Sequence, residues 1–150
     1  MGMPGSDRAT AEDDLAGMLA PADLILDALI GYSLRGAPDG PAAGFIGTAN
    51  AAGAPRLALD LPSGLDGDSG LPQKPCIRAA ATLTLAWPKS GLLTDQAAHV
   101  VGQLFLADIS IPAGIYRAVG VEPDALFARG PLVRALPVAG GWEAGPALGR

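Results

Sequence analysis

The chain is poor in the side chains that do most metal and redox chemistry. It has one cysteine, Cys76, and one histidine, His99. A lone thiol excludes an internal disulfide and any cysteine-based metal cluster, so Cys76 reads as a small apolar residue. Nothing near His99 in the sequence would orient it as a base, so it reads as a surface or packing residue. Charge is scarce too: 17% of residues are charged and the net charge is −5. The arginines and lysines are scattered, which argues against a nucleic-acid surface. Aromatic residues are few, and Trp87 and Trp142 are expected to pack. No apolar run approaches the roughly 20 residues of a membrane helix. The opening "MGMPGSDRATAEDDLAGMLA" lacks the basic-then-apolar order of a signal peptide. The expectation is a cytoplasmic protein with neither membrane nor nucleic acid as partner.

What the sequence has in quantity is apolar residues and chain breakers. Hydrophobic residues make up 49% of the 150, enough for the core of one domain. The 21 glycines and 14 prolines cut that material into short elements. Residues 1–21 show no sustained period and read as a mobile lead-in or a weak helix. Residues 22–30 are an almost continuous apolar run, the pattern of a strand buried on both faces. A glycine-rich loop follows. Pro41 then suits the first turn of a helix over 41–53, with Phe45, Ile46 and Ala49 on one side. Residues 55–61 form a second buried strand, completing a parallel strand–helix–strand unit. Residues 79–87 and 102–112 read as third and fourth strands, and 113–128 as a short helix. The domain is expected to span 22–128, with 129–150 a tail too rich in Pro and Gly for an element to be assigned.

Two apolar strands end alike, in Asp27 and in Asp60. In open parallel sheets, ligands sit beyond the carboxyl ends of the strands, so both carboxylates are expected at that rim. With Ser63 in the tight turn "LPSG", they offer hard oxygen atoms to a cation or a polar ligand. The competing reading is that both merely cap the loops that follow them. "GYSLRG", residues 31–36, could present N–H groups and Arg35 to a phosphate, or be a surface turn. It matches neither a P-loop nor a G-x-G-x-x-G fingerprint. "DGDSG" fails as a calcium loop, because the twelfth position from Asp66 is Ile77 rather than a glutamate. Ser63 is not in a G-x-S-x-G elbow, which removes the hydrolase reading.

Four stretches follow in the order found in the YjeF N-terminal family: "DLILDALIGYSLRGAP", "LALDLPSGLDGDSG", "ATLTLAWPKSGLL" and "VGQLFLADISIP". The chain resembles that family from about Asp23 to Pro112, most specifically in D-x-P-S-G-x-D from Asp60 to Asp66. The resemblance implies an α/β fold, a Rossmann-like three-layer sandwich with a mostly parallel sheet, of which this chain is an incomplete part. It implies an NAD(P)H-hydrate epimerase, an isomerase of metabolite repair that interconverts the R and S forms of C6-hydrated NADH and NADPH. By position, Asp27 and Ser63 resemble the family's potassium ligands, so K+ is the implied cofactor. Ile30, Gly31, Tyr32, Ser33, Leu34, Arg35 and Gly36 resemble its dinucleotide-contacting loop. Asp60 resembles the residue that meets the reacting ring, both binding substrate and acting as acid and base. Lys89 lies in a family-like P-K-x-G turn without an assigned role. The family's earlier G-N-N-G-G-D-G-like loop has no counterpart, which makes this the carboxyl-terminal part of the domain. The resemblance leaves open a homodimer or association with an ADP/ATP-dependent hydrate dehydratase. The alternative function is a non-catalytic binding or dimerisation module.

Overall fold

The computed structural model describes residues 14–32, 34–120, 122, 127, 130–139 and 141–147. Six strands form one sheet in the order β1 (Ile25–Asp27), β2 (Arg56–Leu59), β3 (Ala81–Leu85), β4 (Gln103–Ala107), β5 (Leu132–Val138) and β6 (Gly141–Ala147). The first four are parallel, and the last two are antiparallel. The expected α/β class, mostly parallel sheet and four strand positions are therefore present. The expected Pro/Gly-rich tail is corrected: residues 132–147 form a hairpin beside β4. In β5, Val133 and Ala135 alternate with less buried neighbours, a period of two that Pro137 and the glycines disguise.

Between β1 and β2 runs the helix Gly40–Ala51, begun by Pro41 and burying Ile46 and Ala49. The Arg56 guanidinium donates to the carbonyl of Ala49 in the helix's last turn and to those of Ala52 and Ala54 just beyond it, giving those groups partners. A long loop rather than a helix joins β2 to β3, with Leu61, Leu65 and Ile77 buried along it. The β3–β4 connection holds a 3-10 turn, Ser90–Leu93, and a short helix, Ala98–Val101. After β4 comes the helix Ala113–Ala118. The expected helical residues 121, 123–126 and 128 lie outside the described residues, as do 1–13 of the expected lead-in or weak helix, of which residues 14–19 are helical.

Register puts Asp27, Ala58, Thr82 and Leu104 in one row across the sheet, and all four are buried. One apolar cluster on that face gathers Ile25, Ile46, Ala49, Ala58, Ile77 and Ala79. A second gathers Leu61, Leu65, Leu92, Val100, Val101 and Leu104, with Trp142 packed against it. The other face differs. Leu24 and Leu26 are 54% and 60% exposed, and Leu57, Leu59, Leu83, Leu85 and Phe105 are only half-buried. The expectation that the first strand is buried on both faces is thus corrected. Among the described residues β1 is an edge strand, and burial favours one side of it.

Candidate active site

Asp27 ends β1 on the covered face, following Ile25 by the strand's period of two. It is only 3% exposed, so the expectation that both carboxylates stand at the rim fails for this one. Its Oδ2 accepts the backbone N–H of Ser63 at 2.8 Å, and its Oδ1 accepts the Ser63 hydroxyl at 2.6 Å. Ser63 Oγ in turn accepts the N–H of Ile30 at 2.9 Å. One network therefore ties the loop after β1 to the turn after β2. Among the described residues, no Lys, Arg or His pairs with Asp27. A buried carboxylate lacking a cationic neighbour, beside a hydroxyl and the Ile30 carbonyl, is a hard-oxygen set that fits a monovalent cation. It equally satisfies the loop-capping reading, since two of Asp27's partners are the N–H groups of Ser63 and Leu29.

The turn that presents Ser63 is fixed by its neighbours. Residues 61–65 are all buried. Gly64 has φ +100°, and a Cβ there would lie 2.5 Å from the Pro75 carbonyl oxygen. Only glycine satisfies both conditions. Cys76, beside that turn, is half-buried, and burial first and the Asp27 charge second push its thiol up to about 12. That leaves it inert as a nucleophile at neutral pH.

Asp60 follows β2 at the rim. It is a non-glycine residue at φ +69°, in the left-handed region, a conformation that concentrates at functional sites. Its N–H donates to the Leu83 carbonyl at 2.8 Å. Its side chain reaches across to β3, where Oδ1 accepts the Leu85 N–H at 3.2 Å and the Thr84 hydroxyl at 3.5 Å. The Lys89 ammonium completes the set with an ion pair to the same oxygen. Lys89 also donates to the Leu85 carbonyl at 3.2 Å. Among the described residues Oδ2 of Asp60 takes no hydrogen bond. Sequence reasoning gave Lys89 no role and did not single out Thr84. A lysine just after the strand next to Asp60 was the available signal.

The loop after β1 is anchored at two points. One is Ile30, through Ser63; the other is Tyr32, whose hydroxyl donates to Asp68. The Tyr32 ring lies 2.8 Å from where a Cβ on Gly67 would be, so the missing side chain makes room for it. The hydrogen bond to Asp68 and that carboxylate's charge raise the Tyr32 pKa. Asp66 is held below the usual carboxylate range, chiefly by the Ser69 N–H and hydroxyl. Gly31, Arg35 and Gly36 are exposed and Leu34 is half-buried. Ser33 lies outside the described residues. A cleft of about 340 Å³ opens between Tyr32, Asp68, Trp87, Pro88, Lys89 and Ser90. Trp87 meets Trp142 edge-on, ring centroids 5.2 Å apart, as packing aromatics do. His99 is exposed, the surface alternative of its two readings.

A carboxylate with one fixed and one open oxygen, beside an ammonium and a cleft, can move a proton to and from a hydroxyl. Comparisons with known proteins place the chain in a family. Residues 3–91 match the family model described as YjeF-related protein N-terminus. An NAD(P)H-hydrate epimerase of Dehalogenimonas lykanthroporepellens is 48% identical over 101 residues, 67% of this chain and 40% of that protein. A bifunctional NAD(P)H-hydrate repair enzyme Nnr of Moorella thermoacetica is 45% identical over 91 residues, 61% of this chain and 17% of that protein. The matched segment spans less than half the length of either relative. The crystal structure of yeast ynu0 has a likeness of fold, with a TM-score of 0.64 and 21% identity over 82% of this chain and 51% of that one. With residues 3–91 matched by its model, the chain belongs to the YjeF-related protein N-terminus family.

Proposed function

We propose that this chain is an NAD(P)H-hydrate epimerase, an isomerase that interconverts the R and S forms of NADH and NADPH hydrated at C6. One observation carries the reading: Asp60 stands at the carboxyl edge of the parallel sheet with Oδ1 bound and, among the described residues, no hydrogen bond to Oδ2. The names of the relatives agree with it. The hydroxyl at C6 leaves as water once protonated, and the ring nitrogen shares the positive charge left on a flattened carbon. Asp60 in its protonated form would supply that proton and, once the flattened ring has turned its other face to the same carboxylate, would take one back from the water that adds there. The loop from Ile30 to Gly36, with Ser33 and Arg35, would hold the dinucleotide. Asp27 and Ser63 would hold K+, which when bound supplies positive charge that orients the substrate.

The setting proposed is the cytoplasm, beside an ADP/ATP-dependent hydrate dehydratase drawing on the same hydrates. No helix among the described residues is long and apolar enough to cross a membrane. The proposed partner of the exposed Leu24, Leu26 and Leu29 is a second copy of the chain. Those residues also favour a second reading, a binding or dimerisation module without turnover. The deciding experiment starts from one purified hydrate and follows the other by chromatography. Conversion well above the spontaneous rate is expected, with Asp60→Asn slower by about 100-fold or more, the scale of acid–base catalysis. Hydrate binding without turnover would favour the module instead. An Asp60→Asn rate equal to wild type would remove Asp60 from the mechanism.

A further inference from the structure

We propose that Lys89 is the positioning residue for Asp60: it clamps Oδ1 so that Oδ2 alone is presented to the substrate. This inference rests on the epimerase reading above. Asp60 leaves β2 in a left-handed backbone conformation, so its side chain departs from the strand's alternation and crosses to β3. Three donors meet it there on a single oxygen: the Leu85 N–H, the Thr84 hydroxyl and the Lys89 ammonium. Two of the three are neutral, and one of those is long at 3.5 Å, which leaves the ammonium as the strong anchor. Lys89 reaches it after the chain bends at Ala86, another non-glycine at positive φ, and passes through the buried Pro88. Its ammonium is itself fixed by the Leu85 carbonyl and the Thr84 hydroxyl.

An ion pair open to solvent on both sides contributes little to any geometry. This pair is shielded, the side chains being 20% and 22% exposed. Lys89 also lines the cleft between Tyr32 and Trp87, which puts the clamp beside the space a substrate would enter. A carboxylate free to rotate would offer either oxygen in many directions, and small misplacements of a reacting group slow a reaction severely.

The test has a kinetic arm and an arm independent of turnover. In the first, Lys89→Met should lower kcat by about 100-fold with KM changed less than about threefold, since the loss is one of orientation. Lys89→Arg should recover most of the rate. The Asp60→Asn, Lys89→Met double variant should be no slower than Asp60→Asn alone, because both act through one group. In the second arm, hydrogen exchange of the Leu85 amide should quicken by about tenfold in Lys89→Met, as its acceptor loosens, and not in Lys89→Arg. An unchanged kcat in Lys89→Met, or a rise in KM alone, would overturn the positioning role. Absence of turnover in the wild-type chain would remove the epimerase reading, and the exchange arm would then decide the clamp by itself. Leu85 protection unchanged in Lys89→Met would overturn it.

Discussion

Ser63 donates its hydroxyl to Asp27 and accepts the N–H of Ile30, so one oxygen serves two loops. Ser63→Ala leaves a buried carboxylate oxygen and a backbone N–H short of a partner. The expected cost is about 1.5–3 kcal/mol, the scale for a hydrogen bond to a charged group, read from the shift in urea midpoint. The cation expected beside it has its own readout. Potassium should raise the melting temperature above its value in sodium at matched ionic strength, since a ligand bound only by the folded state stabilises that state. Asp27→Ala should abolish the difference; equal melting temperatures for the wild type would argue against the site. Tyr32 gives a pH dependence. Its folded-state pKa is raised by Asp68, so the stability it contributes is present below the unfolded value of about 10 and is lost as pH rises through the higher folded value. Ultraviolet titration of the folded chain should show Tyr32 ionising later than a free tyrosine. Asp68→Asn should bring it back.

At the scale of elements, the turn after β2 tolerates little change. Gly64→Ala would place a methyl group against the Pro75 carbonyl oxygen and force an L-residue to φ +100°. Left-handed strain and overpacking each cost about 1–3 kcal/mol, so a loss of at least about 2 kcal/mol is expected in denaturant unfolding. A stability within about 0.5 kcal/mol of wild type would show that the turn relaxes more easily than its buried packing implies. This turn was legible in the sequence, because proline and glycine fix backbone angles locally. The hairpin of β5 and β6 was not. Its strands gain their place from pairing with β4 and from Trp142 packing on the core and on Trp87. None of that is expressed in a stretch, 132–147, whose local signal is Pro137, Pro146 and three glycines.

On the scale of the whole molecule, the asymmetry between the two faces of the sheet has the largest consequence. An edge strand carrying Leu24 and Leu26 outward is a template for pairing with another chain. Gel filtration of the purified chain is expected to show a dimer or larger species, shifting toward monomer in Leu26→Lys. A wild-type chain that elutes as a stable monomer at high concentration would mean that this face is less adhesive than its exposure implies.

The sequence by itself determined the strands of the parallel sheet, the helix begun at Pro41, the Ser63 turn and the placement of Asp27 and Asp60 at strand ends. These follow from apolar runs bounded by glycine and proline, whose effects act within a few residues. Only the tertiary structure decided that Asp27 lies buried against Ser63 while Asp60 turns to the rim. The two strand endings look alike in sequence, but Asp27 falls in a buried row of the sheet register and Asp60 lies past the end of its strand. Only the tertiary structure brought Lys89 onto Asp60, since that meeting depends on where the chain bends after β3. Which face of the sheet is covered was likewise decided there, because burial is a property of what packs against a strand rather than of the strand's own residues.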